Sequence, residues 1–374
     1  MPGKETVILF IVLMALLPFL VLAGPAVEFS DMENRVLQQW PTFTRESLLS
    51  ARYMVEVGEY AQDQFWQRAW WVRLKNGTDR LLGRRDIGNA FLGDNGVYTE
   101  KRSLVNTQQW ATNLEALVKF SQLATASRVS CYFLGVPSAY TVDPGRLPGY
   151  AITQDEYALN NELALGQQGY RYIDCLAALQ GDHYFRTDHH WTALGAYAAY
   201  QVLAPAMNFT PWSLEQFQRG SFTGFYGSLY SRAPLFGVAS EEVEYLFAAS
   251  TPVAVTNSTG EVKDSVIFWE NGLVKDKYTI FLGGVQPRLT IAQLPSSSGE
   301  GSHPTRRLLI IKDSFAHPLV PLLVSHFAEI HMIDLRFFRR SVADYFWDNQ
   351  ITDILFCFNL SWFAADESFA SLLP

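Results

Sequence analysis

Apolar residues along this chain fall into two rhythms, a helical one recurring every third or fourth position and short unbroken runs, and their alternation sets the fold class. Ser103 to Ala124 and Asp155 to Gln168 have helical spacing, whereas Val129 to Val136 is an apolar run closed by Pro137 and Arg171 to Asp174 a short strand. Thr192 to Ala204 predicts a further helix. After a long interruption the rhythm returns, with strands at Leu308 to Ile311, Glu329 to Ile333 and Asp353 to Phe358 and helices at Phe315 to Phe327 and Phe338 to Asn349. Strands alternating with helices predict an α/β domain whose mainly parallel sheet is flanked by helices. Sites in such sheets gather at the carboxyl ends of the strands.

The interruption is residues 206–303. It is rich in Gly, Phe and Tyr from Asn208 to Gly227, alternates like short strands from Val243 to Ser265, and ends in the linker Ser296 to Ser302. It reads as a β-rich insertion over one side of the site. Near the start of the domain, Asn89 to Tyr98 carries Asn95-Gly96 between apolar runs and predicts a hairpin. Tyr53 to Leu74 has helical spacing and predicts a membrane-proximal helix that packs back onto the domain.

At the N-terminus, Val7 to Ala23 is seventeen residues without a charge, preceded by Lys4 and followed by Glu28, Asp31 and Glu33. That length is the low edge of a bilayer span, and Val21-Leu-Ala23 also resembles a cleavage site. Anchor or signal peptide, the segment exports the rest, with the N-terminus inside. The expected division is a cytoplasmic tail at 1–6, the transmembrane anchor (or signal peptide) at 7–23, a membrane-proximal segment at 24–86 and the catalytic domain at 87–374.

Charge and cysteine change the picture little. A formal net charge of −8, with no basic run longer than two residues, excludes a nucleic-acid surface. Cys131, Cys175 and Cys357 show no zinc spacing and allow one disulfide at most.

The chemistry concentrates in Tyr184 to Leu194, where Asp188, His189, His190 and Trp191 are consecutive. A carboxylate two residues from a histidine can hold the proton on one ring nitrogen and leave the other as a base. The nucleophile such a pair would activate is Ser314, at the end of the apolar run Leu308 to Ile311 and the start of a helical pattern. Ser314 would equally suit a helix N-cap. Lys263-Asp-Ser265 repeats the Lys-Asp-Ser triplet but precedes its apolar run, so only Ser314 fits a strand-to-helix elbow. Asp182, His183, Asp188, His189 and His190 could alternatively hold Mn²⁺ or Zn²⁺ for phosphoester hydrolysis. Asp-His-His also occurs in the DHH phosphoesterases, but their Asp-x-Asp is missing here.

The Asp-His-His-Trp and Lys-Asp-Ser blocks, with Glu33-Asn-Arg-Val-Leu37, Trp40-Pro41, Gly195 to Tyr200 and Ile333 to Arg336, resemble the DHHW family of bacterial envelope proteins. More distantly they resemble the AlgJ and AlgX type of alginate O-acetyltransferase. The resemblance covers residue 30 to the C-terminus and implies an SGNH-hydrolase-like fold with a Ser-His-Asp triad: Ser314 as nucleophile, His190 as base, Asp188 orienting it. Asn359 and Arg336, at the ends of later strands, stand where that fold takes oxyanion donors. His189 would either support His190 or point away, and Trp191 would lie at the substrate. Because Asp188 and His190 precede Ser314, the motif order is circularly permuted. The resemblance implies a membrane-attached, extracytoplasmic O-acetyltransferase without metal or cofactor, acting on a polysaccharide acceptor and receiving acetyl from a membrane-bound O-acyltransferase. A polysaccharide O-acetyl esterase and a non-catalytic, glycan-binding envelope scaffold remain open beside it.

Overall fold

Helices cover both faces of the central strands, so both faces of those strands must be apolar. In the computed structural model Leu134, Leu308, Ile310, Leu355 and Cys357 face one core, and Phe133, Leu309, Ile311, Ile354, Phe356 and Phe358 the other, as the two-residue period of a strand requires. The helix Ala193–Ala206 closes the first core through Ala196, Ala199, Tyr200 and Leu203. Helices Thr107–Ala126 and Glu156–Leu165 close the second through Leu117, Phe120, Ala124, Leu159 and Leu163. The structure describes residues 3–22, 24–93, 96–102, 104, 106–295 and 304–372. Asn95 of the expected hairpin turn, Ala23 of the expected cleavage site and the 296–302 linker lie outside the described residues.

The central sheet has eight strands: β1 (Ser130–Val136), β2 (Arg171–Asp174), β3 (Val253–Asn257), β4 (Val262–Lys263), β5 (Arg288–Gln293), β6 (Arg307–Lys312), β7 (Glu329–Ile333) and β8 (Asp353–Asn359). Their order is β4-β3-β5-β7-β6-β8-β1-β2. From β7 to β2 the pairings are parallel, but β4, β3 and β5 join antiparallel. The sheet is therefore mixed rather than mainly parallel. Only residues 258–261 separate β3 from β4, too few for the crossover that parallel strands need. The insertion thus extends the sheet as well as adding an antiparallel ribbon, Gln218–Phe225 with Glu241–Phe247.

Three expected helices differ. Phe315 to Phe327 holds only the turn Ser314–Ala316 and the short helix Val320–Leu323, because Pro318 and Pro321 lack the N–H a longer helix would use. Tyr53 to Leu74 is two helices, Arg52–Asp63 and Arg68–Leu81, separated where Gln67 takes a left-handed φ of 54°. The N-terminal helix spans Lys4–Leu22. Among the described residues no helix is long and apolar enough to cross a membrane, so the expected transmembrane span is not supported.

The chain forms two compact units, residues 1–88 with 230–238, and 89–229 with 239–374. In the first, Arg35 bridges Glu33 and Asp63 while Arg68 also reaches Glu33. In the second, all three cysteines are buried free thiols, and burial pushes the Cys131 thiol up to about 12.

The carboxyl ends of β6 and β8 are tied by one buried side chain. Asp313 accepts the Phe315 N–H at 2.9 Å and the Asn359 N–H at 2.8 Å. Burial pushes its carboxyl up to about 6 against those donors and against His190 and Lys312. A carboxyl held above its unfolded value contributes stability below about pH 4 and loses it as pH rises through the folded value. The stability of the native chain relative to Asp313→Asn is therefore expected to fall by a few kcal/mol between about pH 4 and about pH 7, read from urea midpoints; a difference that does not change with pH would contradict this. Phe133 is fully buried against Phe356 and Phe363, and Phe133→Ala should lower unfolding free energy by about 3–5 kcal/mol in the same titration.

Candidate active site

Ser314 opens a helical turn immediately after β6, at the carboxyl end of the sheet. The loop that meets it doubles back on itself, with Tyr184 bridging to Trp191, the Phe185 N–H donating to the His190 carbonyl and the Thr192 N–H to that of His183. Buried Arg146 donates to the Phe185 carbonyl at 2.8 Å. Glu241, from the ribbon, accepts the Arg186 and Thr187 N–H groups at 2.7 and 2.8 Å. Trp191 is fully buried, and its indole N–H donates to the Phe315 carbonyl at 2.9 Å. It fastens the two halves of the site together and is not among the residues that line the cleft, where the sequence places it at the substrate.

With the loop fixed, Asp188, His190 and Ser314 lie in line. His190 Nδ1 is 2.6 Å from Asp188 Oδ1, and His190 Nε2 is 2.6 Å from Ser314 Oγ. The network assigns the ring proton to Nδ1, leaving Nε2 to accept from the serine hydroxyl. Asp188 also accepts the His190 N–H at 3.0 Å and the Ser228 N–H at 2.7 Å. Burial alone would raise its carboxyl; His189 and His190 facing it and these hydrogen bonds hold it well below the usual carboxylate range. It stays ionised beside the imidazole.

Two residues of the insertion that no sequence motif marks complete this arrangement. The Tyr278 ring stacks on His190 with centroids 3.9 Å apart and an interplanar angle of 13°, and its hydroxyl donates to the Ser314 carbonyl at 3.2 Å. Burial, then Asp188 and Asp313 nearby, hold the phenol well above its ordinary range, so it remains a donor. Ser228 gives its N–H to Asp188, and its hydroxyl lies 3.0 Å from His189 Nδ1. Gly227 precedes it because a Cβ there would meet Asp188 Cβ at 2.4 Å. The Gly and Tyr richness of Phe225 to Tyr230 is the only trace of this in the sequence.

The remaining candidates divide. His189 lies against His190, centroids 3.9 Å apart, and lines a narrow cleft with Tyr98, Arg102, Ser138 and Trp362. Arg102 covers the Trp362 ring at 3.6 Å. Asn359 borders the cleft, but its amide donates to the Val136 carbonyl and the Ser138 hydroxyl, both at 3.1 Å, and its Oδ1 caps the following helix through the Trp362 N–H. Arg336 is held by Asp334 through bonds of 2.8 and 2.7 Å and does not line the cleft. Of the possible metal ligands, Asp188, His189 and His190 are brought together, within 4.8 Å of one another. Asp182 and His183 do not join them. Both oxygens of Asp188 and both ring nitrogens of His190 already have protein partners, so an ion there would have to displace the serine contact.

Residues 166–333 match the DHHW protein family, and residues 93–231 match the SGNH hydrolase-like domain of the acetyltransferase AlgX. No curated protein sequence matches the chain. Its fold resembles that of a DHHW family protein from Eubacterium siraeum, with 23% identity over 76% of this chain and 95% of that one and a TM-score of 0.64. It also resembles PatB1 of Bacillus cereus, with 21% identity over 75% of this chain and 98% of that one and a TM-score of 0.63. The DHHW family and the AlgX-type SGNH hydrolase-like domain are thus what this chain is similar to, the first over residues that include Asp188, His190 and Ser314 and the second over residues that include Asp188 and His190.

Proposed function

We propose that the protein is an acyl-ester enzyme in which Ser314 is the nucleophile, and that it transfers acetyl groups onto a polysaccharide outside the cytoplasm. The observation that carries this is the unbroken line from Asp188 through His190 to Ser314 Oγ, with 2.6 Å on each side of the imidazole. A serine hydroxyl attacks only if a base takes its proton during attack, and His190 Nε2 is in place to do so. As Oγ bonds to the acyl carbon, the proton passes to Nε2, and the imidazolium that forms is stabilised by Asp188. His190 then returns the proton to the departing alkoxide, leaving an acetyl-serine. A sugar hydroxyl deprotonated by His190 takes the acetyl group and restores Ser314.

The developing oxyanion needs donors. Ser314, first in its helical turn, has an N–H without an intrahelical acceptor, and such a donor is worth about 3 kcal/mol of barrier. The Asn359 amide could join only by releasing the Ser138 hydroxyl. Water in place of the sugar would make the same acyl-enzyme an O-acetyl esterase, and exclusion of water from the cleft decides between the two.

A membrane-bound O-acyltransferase would supply acetyl, and the polysaccharide would accept it. Export of the domain is supported by Lys4 before the apolar N-terminal segment and the acidic residues after it.

Incubating the protein with p-nitrophenyl acetate should give a mass increment of one acetyl group on Ser314. Ser314→Ala and His190→Ala should abolish the adduct, lowering turnover on the order of 10⁴-fold, and a chelator should leave it unchanged. Loss of turnover on chelation, or an adduct that survives in Ser314→Ala, would remove the serine mechanism. Tyr278→Phe keeps the stacked ring and should reduce turnover less than Tyr278→Ala, measured as kcat at constant folded fraction.

A further inference from the structure

The first compact unit contains a helix whose amphipathicity is reversed. Along Arg68–Leu81, Trp70, Leu74, Gly77 and Leu81 share one stripe, and Trp71, Lys75 and Thr78 the next, which Leu82 continues. The large apolar members of both stripes face solvent, Leu81 at 89% and Leu82 at 77% of full exposure. The opposite arc holds Asn76, Asp79, Arg80 and Arg73 with Val72 among them. Asn76 is buried and donates to the Pro234 carbonyl at 3.0 Å, and Arg73 lies 5.7 Å over the Phe236 ring. Water would select the reverse orientation, so the outward face has another solvent.

Charge and composition identify it. Residues 64–85 carry Arg68, Arg73, Lys75, Arg80, Arg84 and Arg85 against Asp79 alone, in a chain whose net charge is −8. Indole rings cluster on the same segment, Trp66, Trp70 and Trp71 all being exposed and Trp70 lying 4.8 Å from Trp71 edge to face. Beside them is an apolar cavity of about 800 Å³ lined by Trp40, Tyr60, Phe65 and Trp71 together with Met14 and Val21 of the N-terminal helix. Exposed indoles and leucines flanked by arginines suit the boundary between headgroups and acyl chains, where the rings enter the apolar side and the guanidinium groups meet lipid phosphate. A protein partner would satisfy the apolar face but would not account for the local excess of positive charge.

We propose that the face Trp70, Trp71, Leu74, Leu81 and Leu82 lies in the surface of an anionic lipid bilayer, with the exposed Lys75 and Arg84 against the headgroups. The contact is interfacial and does not span the bilayer, and it stands independently of the serine chemistry. Two weak attachments, this helix and the apolar segment before residue 24, together hold more firmly than either alone.

The native thiols are buried, so an environment-sensitive fluorophore can be placed selectively on Leu81→Cys, with Leu165→Cys, exposed in the other unit, as control. The full-length chain is reconstituted into nanodiscs of phosphatidylglycerol with phosphatidylcholine, or of phosphatidylcholine alone. The label at position 81 is expected to shift to the blue and brighten several-fold on the anionic discs, and Lys75→Glu with Arg84→Glu should reverse most of this. The label at position 165 should not respond. Recovery of protein with the discs reports attachment by the N-terminal segment separately. A label at 81 that stays in water on attached protein overturns the proposal. So does an equal response on both discs, or a shift that follows protein concentration without lipid, which would mark a second copy as the occupant.

Discussion

A carboxylate kept charged inside the protein is the constraint on which the site rests. Asp188 has lost its water, and a buried charge without partners would cost several kcal/mol. It is stabilised by three N–H donors, two from His190 and one from Ser228. Much of the surrounding architecture serves to deliver them. Glu241 and Arg146 fix the backbone of the loop, Gly227 lets the insertion approach within contact of Asp188, and Trp191 locks the loop to the turn that carries Ser314. With the carboxylate satisfied, the imidazole has one orientation, and that orientation meets the serine.

The insertion has a larger part than a lid. Its strands lengthen the sheet beyond β7, its ribbon supplies Glu241, and its later residues place Tyr278 flat against His190. A parallel sheet offers strand ends on one side of the site only. Here the other side is built from chain that departs from the α/β rhythm. Asp188, His190 and Ser314 and their supports therefore come from two structural systems meeting at one imidazole.

Asp188, His190 and Ser314 were legible in the sequence because histidine is scarce and their positions are punctuated: a polar triplet before a helix, a serine after an apolar strand. What surrounds them was not. Ser228 acts through its backbone N–H, which every residue but proline has, and Tyr278 acts through stacking, which only the tertiary fold decides. The resemblance places Trp191 at the substrate, whereas its ring is buried and its indole N–H is taken by the Phe315 carbonyl, a contact between segments far apart in the chain. Arg336 and Asn359 end the expected strands, yet Asp334 and a helix cap engage them. The alternation within 206–303 announced strands but not their partners, and so the sheet was expected to be more parallel than it is. The helical spacing of Phe315 to Phe327 outweighs Pro318 and Pro321 in the sequence, yet their missing donors divide the segment.

The separation along the chain of the groups that meet at the site has a consequence for the order of events as the protein is made. Asp188 and His190 emerge from the ribosome well before Ser228, Tyr278 and finally Ser314, and the parallel strand that carries the serine can pair only after β8 and β7 exist on either side of it. Contacts of such long range form late in folding. The nascent chain thus holds His190 without Ser314 and then Ser314 without its place in the sheet. The Asp188–His190–Ser314 line is assembled in a single late step, so an unfinished or truncated copy lacks it.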